Sequence, residues 1–94
     1  MSARLVLRQR TQLADDRFIE LVIWRVPVAV PGSKHDFKYR LALVVDEVCV
    51  LRYDNEAGKG DHKHVGIVEV PYSFSTIEQL LADFRRDVLN WRPT

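Results

Sequence analysis

The segment Tyr53-Asp54-Asn55-Glu56-Ala57-Gly58-Lys59-Gly60-Asp61-His62-Lys63-His64 holds the densest set of chemically competent side chains in this sequence. Two of the three histidines fall in it, spaced His-x-His. Imidazole changes protonation near neutral pH, so a pair of them can serve as general acid and general base. Cleavage of RNA through its 2′-hydroxyl is a reaction that suits such a pair. Lys59 or Lys63 would stabilise the negative charge that builds on the phosphorane-like transition state. Asp54, Glu56 or Asp61 could orient an imidazole by accepting its second ring proton. This chemistry calls for no metal and no other cofactor. If Asp61–His64 begins a strand, His62 and His64 project to the same face, because side chains alternate along a strand.

Other readings of the segment remain open. Gly58-Lys59-Gly60 leaves the backbone free to approach a ligand, and consecutive N–H groups there could form an anion-binding nest for phosphate. Asp, Asn and Gly are also what a solvated hairpin loop requires, and Tyr53, Asp54 and Asn55 have a turn-capping role available. A metal held by His62, His64 and a carboxylate is disfavoured by the positive charge of Lys59 and Lys63 beside it. His35 stands apart in Pro-Gly-Ser-Lys-His-Asp and reads as a loop residue. Cys49, the only cysteine, lies in the apolar run Val-Cys-Val-Leu and reads as a small buried hydrophobe. It excludes an intramolecular disulfide.

The elements that must position these groups are strands first and a helix last. Residues 3–10 alternate apolar and basic, with Leu5 and Leu7 on one face and Arg4, Arg8 and Arg10 on the other. Residues 17–26 are apolar on both faces in their middle and read as an interior strand, paired with the first in a hairpin. After a Pro- and Gly-punctuated loop, residues 37–45 alternate cleanly, and the short Asp46-Glu47 connection leads to a strand at 48–54. Residues 65–70 read as a fifth strand ended by Pro71. Ser75 and Glu78 fit a capping box. Ile77, Leu80, Leu81, Phe84, Val88 and Trp91 then form one stripe of an amphipathic helix. The order β-β-β-β-β-α predicts an α+β fold, an antiparallel sheet of about five strands with one C-terminal helix on one face. Trp24 and Trp91 are expected in the core. Lys34, Lys38 and Arg40 would share a basic strip with Arg4, Arg8 and Arg10 if their strands neighbour, giving a phosphate-tracking surface or simply the solvent side of the sheet.

Length and charge bound the function. With 94 residues there is room for one domain, 1–94. The near balance of 14 basic against 13 acidic residues argues against a histone-like nucleic-acid binder. The halves differ, however: residues 1–40 carry 8 basic and 4 acidic side chains, residues 41–94 carry 6 and 9. No apolar run approaches the roughly 20 residues of a membrane-spanning helix. The N-terminus lacks the apolar stretch of a signal peptide, so a cytoplasmic protein without membrane association is expected. An uncovered sheet face or edge would gain from pairing, so a homodimer is one possible state.

The segment 53–64 also resembles the signature of the TumE family, toxins of prokaryotic toxin–antitoxin pairs. Val30-Pro31-Gly32-Ser33-Lys34-His35, Phe37-Lys38-Tyr39-Arg40-Leu41 and Leu80-Leu81-Ala82-Asp83-Phe84 extend the resemblance over most of the chain. It implies a small cytoplasmic protein encoded beside a helix-turn-helix antitoxin. Many small toxins of this kind are endoribonucleases, an analogy of role that favours RNA as the target. Two functions of different class follow. One is a metal-independent ribonuclease with His62 and His64 as acid and base. The other is a non-catalytic module whose Gly58-Lys59-Gly60 loop, with Lys63, Lys38 and Arg40, holds nucleic acid, or whose strand edge takes a peptide from its partner.

Overall fold

A computed structural model describes residues 2–93. Six strands run in chain order across one antiparallel sheet: β1 (Arg4–Ala14), β2 (Arg17–Arg25), β3 (Phe37–Val45), β4 (Val48–Glu56), β5 (Gly60–Val65) and β6 (Val68–Pro71). The helix α1 (Ile77–Asn90) follows. The expected α+β architecture is present with one strand more than the sequence suggests. The apolar run at 65–70 is not one strand, because Gly66, with φ +61°, turns the chain between β5 and β6. The polar segment 53–64 is a hairpin, with β4 continuing through Asp54 and Asn55 and β5 beginning at Gly60.

One sheet face is covered by α1. Leu21, Ile23, Tyr39, Leu41, Leu43, Leu51 and Tyr53 from the sheet close on Leu80 and Phe84 of the helix. Burying such side chains stabilises by roughly 1.5–3 kcal/mol each, so apolar burial is what chiefly holds the helix in place. Polar pins add direction: the Tyr53 hydroxyl donates to Asp87, Lys63 Nζ lies 2.9 Å from the same carboxylate, and the Tyr72 hydroxyl donates to Asp83 at 2.6 Å. The helix N-cap is Thr76, not Ser75. Its backbone is extended and its hydroxyl accepts from Gln79 N at 3.0 Å, so the overlapping Thr-x-x-Gln frame is the one used.

Two residues expected in the core lie elsewhere. Leu43 faces Leu51 while Val44 faces Cys49, which leaves Val50 as a bulge and leaves Cys49 exposed. Trp24 alternates with the buried Leu21 and Ile23 side and so sits half-buried on the opposite, uncovered face. Trp91 does pack against the core, just beyond the end of α1. A bulge at Val6 places Leu5 opposite Trp24 and Leu7 opposite Ile23. Arg4 therefore leaves the row of Arg8 and Arg10 and pairs with Arg25.

Candidate functional site

Strand alternation divides the 53–64 segment between the two faces of the sheet. Register partners run straight across the uncovered face: Arg8, Val22, Arg40, Asp54 and His62 form one row over β1 to β5. Arg10, Glu20, Ala42, Arg52, His64 and Glu69 form the next. Lys38, opposite Trp24, begins a third. Arg8 and Arg10 thus share a face with Lys38 and Arg40 although β2 lies between their strands, while Lys34 stays on the loop before β3. With Arg52 these make five cations, and they meet four carboxylates on this face, Glu20, Asp54, Glu56 and Glu69.

His62 and His64 stand side by side here with 19% and 22% of their side chains exposed. Glu69 spans them, 3.8 Å from His62 Nε2 and 3.8 Å from His64 Nδ1. His62 Nδ1 is 3.2 Å from the Gly60 carbonyl, an acceptor that places a ring proton on Nδ1. His64 Nε2 is 3.2 Å from Arg52 Nη2 and 3.4 Å from Asp54 Oδ1. Arg52 Nε approaches Asp54 Oδ2 to 3.0 Å as an ion pair, yet its N–H makes no directed hydrogen bond. Among the described residues, no group of three His, Cys, Asp or Glu side chains is arranged to hold a metal ion.

The covered face receives Asp61, Asn55, Tyr53 and Lys63. Asp61, with 7% of its side chain exposed, accepts from Ser33 Oγ at 2.5 Å and the Tyr39 hydroxyl at 2.7 Å, and pairs with His35 Nε2 at 2.6 Å. Burial and the Asp61 carboxylate together push the Tyr39 hydroxyl well above its ordinary pKa. Asn55, fully buried, donates to Phe37 O and Ser33 Oγ and accepts from Tyr39 N. His35 is no free loop residue. Its Nδ1 accepts from Phe37 N at 3.2 Å and its ring stacks on Phe74 at 3.8 Å between centroids. With both nitrogens engaged, His35 locks the 26–36 loop onto β5 and has no lone pair to offer a substrate. Sequence reasoning missed this partner because the contact spans 26 residues.

The glycine loop is occupied by the protein's own backbone. Gly58 N donates to Pro31 O at 2.6 Å and Lys59 N to Glu56 O at 3.1 Å, so neither N–H is free for an anion. A Cβ on Gly60 would meet Gly32 O at 3.0 Å, which assigns this glycine to close packing of two chain segments. Glu56 is exposed at the end of β4, opposite Gly60, and lies 3.8 Å from Lys59. Lys38 Nζ donates to Asn55 O at 2.6 Å, and Arg40 is 3.8 Å from Glu20.

The chain as a whole has one match that decides its relationship. Residues 2–92 match the family model described as Toxin TumE. The chain belongs to the TumE toxin family. No curated protein and no solved structure gives a match. Membership of the TumE family implies an antitoxin as partner. The described residues of this TumE chain contain no helix long and apolar enough to cross a membrane. In this TumE chain, the signature's polar residues serve two faces: one half braces the fold, and the other half, with Arg52 and Glu69, lines the open sheet.

Proposed function

We propose that this TumE-family protein acts as a metal-independent endoribonuclease on the open face of its sheet. The observation that carries the reading is the shared face: His62 and His64 stand in the same register rows as Arg8, Arg40, Arg10 and Arg52. RNA laid across those cations brings a scissile phosphate to the paired imidazoles. His62, with Nε2 unprotonated, removes the 2′-hydroxyl proton. The 2′-oxygen attacks phosphorus, the bond to the 5′-oxygen breaks, and His64, protonated at Nε2 once Arg52 turns from it to the phosphoryl oxygens, supplies the proton to that leaving oxygen. The products are a 2′,3′-cyclic phosphate and a 5′-hydroxyl. Arg52, beside His64, stabilises the charge on the phosphoryl oxygens. Lys63 faces the helix and Lys59 the solvent loop, so Arg52 takes the role the sequence suggests for them. Asp61 orients His35, the Gly60 carbonyl orients His62 through Nδ1, and Glu69 faces Nδ1 of His64. Its antitoxin is a helix-turn-helix protein and its target a cytoplasmic RNA.

The test is incubation of the purified protein with RNA in the presence of a chelator, followed by analysis of product ends. Cyclic phosphate termini that disappear with His62→Ala or His64→Ala support the reading, with a rate loss of about a hundredfold or more. RNA that binds but stays intact transfers the open face to the non-catalytic binding role.

A further inference from the structure

Trp24 is a large aromatic side chain left half-buried on the uncovered face, outside the core cluster, as are Phe18, Val22 and Val44. Val22 beside it and Trp24 itself floor a shallow depression whose rim carries Lys38, Arg40 and Glu20. Arg8 borders the indole, with its guanidinium carbon 5.9 Å from the ring centroid. A flat apolar floor bounded by three cations is complementary to a planar base attached to phosphate. It is poorly matched to a duplex, whose bases are already stacked and cannot reach the indole.

We propose that Trp24 is a base-stacking subsite for an unpaired nucleotide, so that the open face takes single-stranded RNA. Resting on the nuclease reading above, this specifies the substrate class for the same face. Trp24 lies three strands from His62, roughly 14 Å across the sheet at about 4.8 Å per strand. A base stacked there belongs to a nucleotide a few positions from the scissile bond. Lys38 and Arg40 hold the intervening phosphates, and the aromatic contact anchors the strand without demanding a particular sequence.

The experiment uses the full chain with His62→Ala and His64→Ala, so that binding is read without cleavage, and a labelled mixed-sequence RNA followed by anisotropy. Single-stranded RNA should bind, and adding Trp24→Ala should weaken it about tenfold or more. Trp24→Phe should keep most of the affinity and thereby separates stacking from misfolding. Quenching of indole fluorescence by the single strand, in a Trp91→Phe background, gives a second reading of the same contact. Binding that ignores Trp24→Ala, or a duplex held as tightly as the single strand, overturns the subsite. Trp24-dependent binding by a protein whose parent never cleaves RNA upholds the subsite and discards the nuclease. A face that binds antitoxin but neither form of RNA discards both.

Discussion

Asp61 and His62 are adjacent in the chain and serve opposite faces of the sheet. Asp61 turns toward the covered side, where Ser33, His35 and Tyr39 converge on its carboxylate; His62 turns to the open side, in the row of Asp54 and Arg40. Substitutions at the two positions must therefore fail differently. Asp61→Asn removes a buried carboxylate that accepts three hydrogen bonds, and should cost about 2–4 kcal/mol of stability. Urea unfolding should show the midpoint falling with little change of slope, while cleavage per folded molecule is retained. A normal midpoint with lost cleavage would instead put Asp61 in the chemistry.

Arg40 and Arg52 should separate in the same spirit. Arg40→Gln removes a cation two strands from His62, so on the nuclease reading RNA affinity should weaken and its salt dependence should drop by about 0.7 in slope for a single strand. Arg52 touches His64, so Arg52→Gln should lower the saturating cleavage rate about a hundredfold. Steady-state kinetics at two salt concentrations distinguishes a binding loss from a rate loss.

How far the sequence specified these relationships depends on the range of the contact. Period-two alternation in residues 37–45 and the 77–91 stripe are local signals, and both elements stand where they predict. The five cations could be seen as one strip only once β2 was known to lie between β1 and β3. Gly66 inside Val-Gly-Ile-Val was the available mark of the β5–β6 turn, outweighed by the apolar run around it. The pairing of His35 with Asp61 had no local mark at all. Its nearest signal was Asn55 and Asp61, each three residues from Gly58, the pattern of a hairpin whose two polar arms face each other.

The helix pins make stability sensitive to acid. Burial by itself would raise the Asp87 carboxyl, but the Tyr53 hydroxyl and the Lys63 ammonium outweigh it and hold the group below the ordinary 3.8. Asp83 is lowered too, chiefly by the Tyr72 hydroxyl. A carboxylate with a depressed folded pKa contributes stability that is complete above the unfolded value and disappears as pH falls through the folded one. Thermal unfolding should therefore show a loss beginning below about pH 5 and deepening beneath 3.8. Asp87→Asn should be less stable at neutral pH and show a shallower acid dependence. A parallel curve would mean that Asp87 makes no such contribution.

The β3–β4 turn contains avoidable strain. Asp46 and Glu47 both adopt left-handed backbone, with φ of 49° and 67°, as a two-residue hairpin connection demands, yet neither is glycine. Glu47→Gly should relieve that strain and raise stability by about 0.5–1 kcal/mol, seen as a higher urea midpoint. A lower midpoint would show that the Glu47 side chain contributes more than its backbone conformation costs.

The three glycines of the crossing point give a graded test of whether the loop exists to bind or to pack. At Gly32, φ is +96° and a Cβ would lie 2.7 Å from Gly60 N; at Gly60, φ is +78° and the nearest atom, Gly32 O, is 3.0 Å away. Both carry a conformational and a steric penalty, and the obstructing atoms are backbone, which cannot swing aside. Gly58 has φ +82° with nothing within 4 Å, so alanine there pays only for conformation, about 1 kcal/mol. The expected order of destabilisation is Gly32→Ala, then Gly60→Ala, then Gly58→Ala, with RNA affinity of the folded protein little changed by the last. A Gly58→Ala protein of near-normal stability that lost RNA binding would reverse the assignment and return the loop to phosphate recognition.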